Sequence, residues 1–267
     1  MRSEIYRELR QALADERLVI LATVVGGPGA GGQLLLYPDG TRRGDLGIPE
    51  LEAAVTTAAE EAFARQAPAR IAVDAGGRTA DLFLDVMAPR RTLIAVGAVH
   101  VAIPLVSFAN TLGFRTVVVD PRTAFATRER FPHAAELRTD WPDEALRQVG
   151  LNEGSYVAVL SHDLKLDLPA LEVALASPAR YVGALGSKKT HRKRLAALRE
   201  AGFDERRLAR IHNPIGLPLG GRRAEEIALA IVAEMVAVSH GRAQAARAVL
   251  AAGDAHLAAA PEARQEG

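Results

Sequence analysis

Residues able to do chemistry cluster in a few short segments of this chain. Gly97-Ala98-Val99-His100-Val101-Ala102 follows the apolar run Leu93–Val96 and precedes a helical pattern that reaches Leu112. The spacing matches the G-x-G-x-x-A turn of dinucleotide-binding folds except at Val99. Asp120 stands about twenty residues on, where such folds place a ribose-binding acid. A β-branched side chain at the middle position opposes close approach of a pyrophosphate. The turn therefore reads either as a weakened nucleotide site or as an ordinary strand-to-helix turn. His100 is expected in the first helical turn, bonded to backbone or aimed over the carboxyl edge of a sheet.

Ser161-His162-Asp163 follows the apolar strand YVAVL. Adjacent residues cannot form a hydrolase triad, and no nucleophile elbow is present. Ser161 or Asp163 suits a helix N-cap, and capping can coexist with lining a site. Gly186-Ser187 opens another helix and is followed by Lys188, Lys189, His191, Arg192, Lys193 and Arg194. Cations in a first helical turn oppose the helix dipole. A phosphate bound to Ser187, the free N–H groups and the lysines reverses that penalty; otherwise the cluster is a solvated face. The last segment runs from His212 to Gly221, HNPIGLPLGG. Its Gly and Pro residues fix one loop shape, either structural or folded over the sheet edge.

The elements that must position these residues fall into two patterns. In the first part, Ser3 caps a helix with Ile5, Leu9, Ala12 and Leu13 on one face. Leu18–Val25 and Gln33–Tyr37 form a hairpin across a Gly-rich turn, Pro49 starts a helix to Gln66, and strands cover 70–73 and 79–86. From residue 93 short apolar strands alternate with helices, which implies parallel βαβ units. The strands are 93–96, 116–119, 156–160 and 181–185, and a final helix spans 223–238. The fold class expected is α/β: a small N-terminal α+β domain over 1–88, a Rossmann-like parallel-sheet domain over 91–240, and an Ala-rich tail over 241–267 that frays at its end.

Composition narrows the function classes. The 267 residues include no Cys, which excludes a disulfide framework, a thiolate zinc site, an iron–sulfur cluster and a catalytic thiol. Net charge is +1, so general nucleic-acid binding is not expected. No apolar run is long enough for a membrane span, and the charged N-terminus has no signal-peptide core. A cytoplasmic location is the expectation.

Taken together the motifs resemble the XdhC/CoxI family of xanthine dehydrogenase accessory proteins. Residues 97–102 resemble the family's GAGHVA. VVVDPRTAFATRERFP at 117–132 resembles D-x-R-x-x-F/Y-A-x-x-x-R-F-P. Ser161-His162-Asp163 resembles THD, and YVGALGSKK from Tyr181 resembles Y-I/V-G-x-I/L-G-S-K/R. Residues 212–237 resemble H-x-P-I-G-L-x-I-G followed by a P-E-E-I-A helix. The N-terminal half is similar only in outline. A family cysteine segment, G-G-G-C-x-E, is here Gly47-Ile48-Pro49-Glu50, and a second family cysteine is replaced by Ala75.

The resemblance implies a molybdenum cofactor binding and maturation factor. Such a protein protects the new cofactor, supports its sulfuration with a cysteine desulfurase, and delivers it to a molybdenum hydroxylase such as xanthine dehydrogenase. A homodimer is a further candidate assembly. The residues expected to contact that cofactor, at the carboxyl edge of the sheet and the Ser187 helix start, are Gly97, His100, Asp120, His162, Asp163, Gly186, Ser187, Lys188, Lys189 and His212, with no catalytic residue and no protein metal ligand. Rival readings are an NAD(P)-binding oxidoreductase, which Val99 opposes, and a structural or regulatory partner without cargo, which the missing cysteines favour.

Overall fold

The computed structural model describes residues 3–259, with side chains to residue 251. The chain splits into two compact units, Met1–Arg90 with Asn152–Gly154, and Arg91–Leu151 with Ser155 onward.

The first unit contains α1 (Ser3–Ala14), β1 (Val19–Gly26), β2 (Gln33–Leu36), β3 (Arg42–Asp45), α2 (Pro49–Arg65), β4 (Ala69–Asp74) and β5 (Thr79–Met87). Its antiparallel sheet has the order β3-β2-β1-β5-β4. Alternation along β1 sends Ile20, Ala22 and Val24 into the core that α2 covers, and Val19 and Leu21 into the core with Ile5, Leu9 and Ala12 of α1. Leu13 departs from expectation. It is half exposed, while Ile5, Leu9 and Ala12 of the same helix are buried. Strand β3, Arg-Arg-Gly-Asp, is exposed at every position. With no apolar alternation it gives no strand signal. It pairs because Gly44, at φ +91°, lets the edge backbone approach β2: a Cβ there would lie 2.5 Å from the Gln33 carbonyl.

The second unit contains β6 (Thr92–Val96), α3 (Ala102–Thr111), β7 (Arg115–Val119), β8 (Glu136–Arg138), α4 (Pro142–Val149), β9 (Ser155–Val159), α5 (Leu164–Ala176), β10 (Tyr181–Ala184), α6 (Lys188–Glu200), α7 (Glu205–Leu208), β11 (Ile211–His212), α8 (Ala224–Ser239) and α9 (Ala243–Ala259). All six strands are parallel, in the order β11-β10-β9-β6-β7-β8. Leu93 and Ala95 of β6 face α3 and α8, while Ile94 and Val96 face α4, α5 and α6. A sheet buried on both faces explains the continuous apolar runs in its strands.

The chain leaves β6 for β7 and β8 on one side and then crosses to β9 on the other. The carboxyl ends of β6 and β9 are thus the topological switch point, where open α/β sheets bind ligands. Residues 121–154, a polar stretch by sequence, hold β8 and α4, and the expected 212–221 loop begins with a residue that ends β11. Both strands are too short for a periodic signal. The end of the Ala-rich tail, 260–267, lies outside the described residues.

Candidate functional site

At the switch point the backbone of β6 meets that of β9. Gly97 is buried at φ +101°, and a Cβ on it would lie 2.9 Å from the Ser161 nitrogen and 3.0 Å from Ser161 Cα. Only glycine allows both the angle and the approach. Val99 is half-buried against the α3–α8 core. His100 is exposed in the turn before α3, not in its first turn as expected; the helix starts at Ala102.

Asp120 follows β7, is buried, and its carboxylate is fully used. One oxygen accepts from Ala98 N–H at 2.8 Å and from an Arg122 Nη at 2.7 Å. The other accepts from Arg122 N–H at 3.0 Å and Nε at 2.9 Å. Burial pushes the carboxyl up, but the bonds from Arg122 and Ala98 outweigh that and hold it below its usual value. A carboxylate with four donors in place has no lone pair left for a ribose hydroxyl. With Val99 in the turn, NADH is expected to give no saturable heat at micromolar concentration by calorimetry. Val99→Gly should bind the dinucleotide better than the parent while remaining weak; tight binding by the parent would refute this account.

Ser161-His162-Asp163 follows β9. Asp163 caps α5 through Lys165 N–H at 2.9 Å, and Ser161 Oγ accepts from Asp163 N–H at 3.2 Å. Between these pinned neighbours His162 takes the left-handed conformation, φ +64°, and is exposed. A left-handed residue other than glycine persists only where its surroundings impose it.

Beneath this turn runs a buried network that none of the sequence motifs announces. Ser161 Oγ donates to Asp167 Oδ1, and the other Asp167 oxygen accepts from Arg194 Nε at 2.9 Å and from an Arg194 Nη. Both charged side chains are fully buried. The same Nη donates to the Leu185 carbonyl at 2.8 Å, just before Gly186. The remaining Nη of Arg194 is buried with no hydrogen-bond partner among the described residues. Arg194 is therefore not part of a solvated face, because the helical period turns it inward with Leu198, four residues on. A charge at that spacing from a buried Leu was the available signal. Above it, Gly186 has φ +143° and Ser187 caps α6 through Thr190 N–H at 3.2 Å. Lys188 and Lys189 are exposed.

His212 belongs to β11, in register with Gly183, and is the most remote of the expected residues from the switch point. Its Nδ1 lies 3.0 Å from Glu234 of α8, a fully buried carboxylate, and its ring packs 4.7 Å from Tyr181. Glu234 also accepts from Tyr181 O–H at 2.6 Å, Gly216 N–H at 2.9 Å and Arg247 Nε at 2.6 Å. Burial pushes Glu234 up, but the bonds from His212, Tyr181 and Gly216 prevail and lower it to about 2. The ionised carboxylate ties α8, β10, β11, α9 and the 212–217 loop together. Glu234 sits on the Ile227–Ile231 face of its helix, again a charge inside an apolar stripe.

The structure thus sets Gly97, Asp120, Ser161–Asp163, Gly186–Lys189 and His212 at the carboxyl ends of adjacent parallel strands, with His100 in the turn beyond the first. Among the described residues no group of three or more acidic or histidine side chains is placed to hold a metal ion. Among them, too, no helix is long and apolar enough to cross a membrane.

Comparison with known proteins places this architecture. Residues 93–235 match the XdhC Rossmann domain and residues 4–74 the XdhC and CoxI family. A probable xanthine dehydrogenase subunit of Bacillus subtilis is 28% identical over 159 residues, covering 60% of this chain and 46% of the relative. The molybdenum cofactor insertion chaperone PaoD of Escherichia coli is 39% identical over 82 residues, covering 31% of this chain and 26% of the relative. The chain spans less than half the length of these curated relatives in the matched regions. A crystal structure from Bacillus halodurans described as a xanthine dehydrogenase superposes with TM-score 0.52 at 22% identity, covering 90% of this chain and 96% of that one, which shows a shared fold. With one family match over more than half its length and another over its N-terminal part, the chain belongs to the XdhC and CoxI family.

Proposed function

We propose that this protein binds molybdenum cofactor and passes it to a xanthine dehydrogenase-type molybdenum hydroxylase. The observation that carries the reading is the switch point. Gly97 and Ser161 close against each other, Asp120 is saturated by its own neighbours, and His100 and His162, which follow β6 and β9, are exposed. A carboxyl edge at a topological switch point whose dinucleotide contacts are already taken up supports a heterocycle other than a dinucleotide as cargo. Family membership and the similarity to a cofactor insertion chaperone support the same cargo.

The residues present suit a phosphorylated pterin. Imidazole and backbone N–H groups can hydrogen-bond a heterocycle at the β6 and β9 ends, and cations stand one strand further along, at β10. The cofactor, when bound, supplies the molybdenum centre of the target enzyme. This chain positions and shields it and contributes no thiol, since its 267 residues hold no Cys. Ile48 and Ala75, which stand where the family's cysteines are expected, both pack against the α2 core. A sulfuration step that uses a protein thiol must therefore draw it from a partner such as a cysteine desulfurase. The same two substitutions favour a second reading, a partner that binds the hydroxylase without cargo.

The chain should be co-expressed with a host's cofactor pathway and purified. Metal analysis and mass spectrometry of the released small molecule should then find molybdenum and a pterin near equimolar with protein. Protein that carries neither, yet binds a molybdenum hydroxylase in pull-down, would replace the first reading by the second.

A further inference from the structure

The α6 N-terminus has an independent mark of an anion site that the lysines alone do not give. Arg194 is fully buried, and one of its guanidinium nitrogens has no hydrogen-bond partner among the described residues. That nitrogen lies directly under the Gly186 turn, where a Cβ on Gly186 would be 3.2 Å from it. Buried donors are ordinarily paired, so a guanidinium nitrogen left over by the Asp167 pair, beneath a helix N-terminus, points to a missing acceptor above it.

The donors above it are also in place. The first intrahelical bond of α6 is His191 N–H to the Ser187 carbonyl, and Thr190 N–H is taken by Ser187 Oγ. The N–H groups of Lys188 and Lys189 precede these and are the free donors of the turn. The first turn of this thirteen-residue helix carries no acidic residue, and neither lysine side chain has an ion-pair partner among the described residues. Ser187 contributes backbone geometry only, since its hydroxyl serves as the cap.

We propose that the Gly186–Lys189 turn is a phosphomonoester subsite. The Lys188 and Lys189 N–H groups and ammonium groups bind the phosphate dianion directly, and the unpartnered Arg194 nitrogen lies beneath, the guanidinium charge itself being paired with Asp167. The subsite lies at the end of β10, one strand beyond β9 at the switch point, so about 5–10 Å separates the phosphate from the strand ends at Gly97 and Ser161. A ring with a short phosphorylated side arm spans that distance. The inference deepens the proposed function by assigning the anionic end of the cargo, and the same chemistry would accept a nucleoside monophosphate.

The test uses the full chain labelled with nitrogen-15, titrated with inorganic phosphate and separately with AMP, alongside the double variant Lys188→Ala/Lys189→Ala. Saturable shifts of the Lys188 and Lys189 amide resonances and of Arg194 Nε–H are expected in the parent. The double variant should bind phosphate about tenfold more weakly or worse, with its fold retained by circular dichroism. Shifts that do not saturate, or equal affinity in the variant, overturn the subsite whatever the cargo. Molybdenum cofactor retained equally by parent and variant overturns the subsite but leaves the proposed function standing. Saturable phosphate or AMP binding by a parent that never carries pterin keeps the subsite and removes the proposed function.

Discussion

Replacing Glu234 by Ala is expected to destabilise the parallel-sheet unit by about 3–5 kcal/mol, the usual consequence of removing one partner from a buried charged cluster. The loss is large because the carboxylate serves several donors together. Tyr181 O–H is buried and donates to this carboxylate, Gly216 N–H is buried, and Arg247 and His212 both lean on the same charge. Urea unfolding followed through Trp141, the chain's one tryptophan and a residue of this unit, reads the effect. A change below about 1 kcal/mol would mean the donors find water instead.

The same group fixes a pH dependence. Glu234 titrates near 4.5 in a solvated chain and at about 2 in the folded protein. Its contribution, about 3 kcal/mol, is fully present above pH 4.5 and fades as pH falls from there toward 2. The parent should therefore lose stability over that acid window. A variant lacking the carboxylate should start lower and fall less. Parallel slopes in parent and Glu234→Ala would show that other carboxyls carry the acid sensitivity.

Breaking the Asp167–Arg194 pair from one side should cost about as much as the Glu234 change. Asp167→Ala leaves a fully buried guanidinium facing no charge, at about 3–5 kcal/mol. Converting both members to apolar residues, Asp167→Leu with Arg194→Met, should recover most of that loss, since a buried ion pair contributes little net stability against well-packed isosteres. The double variant should nevertheless misplace the two turns the pair serves. Ser161 would lose its bond to Asp167, and the Leu185 carbonyl its bond to Arg194. Restored stability together with lost ligand binding is the expected signature. If the double variant is as unstable as Asp167→Ala, the cost comes from packing volume and not from the orphaned charge.

Each of these effects centres on a charged residue that hydropathy alone assigns to the surface. The alternation of short apolar runs with helical segments is legible in the sequence. It follows from a parallel sheet covered on both faces, whose strands need apolar residues at every position. Gly97 and Gly186 are legible as turn residues for a similar reason, since each takes a backbone angle that side chains resist. The caps at Asp163 and Ser187 are legible from residue type and position, and the structure realises both.

What stays hidden in the sequence depends on partners far along the chain. Arg194 reads as one more cation in a basic run, and only the register of α6 on α5 sets it against Asp167, 27 residues earlier. Glu234 reads as a polar break in an apolar helix until Tyr181, 53 residues away, and His212 meet it. Asp120 reads as a ribose-binding acid until Arg122 folds back onto it and uses up its lone pairs. The edge strands β3, β8 and β11 are two to four residues long and form because a neighbouring strand offers unpaired backbone groups. Local pattern determined the central strands, the long helices and their turns, because period, capping and backbone angle are near-neighbour properties. Only the tertiary structure decided which charges are buried and which remain free to meet a ligand, because desolvation depends on what packs against a side chain from elsewhere in the chain.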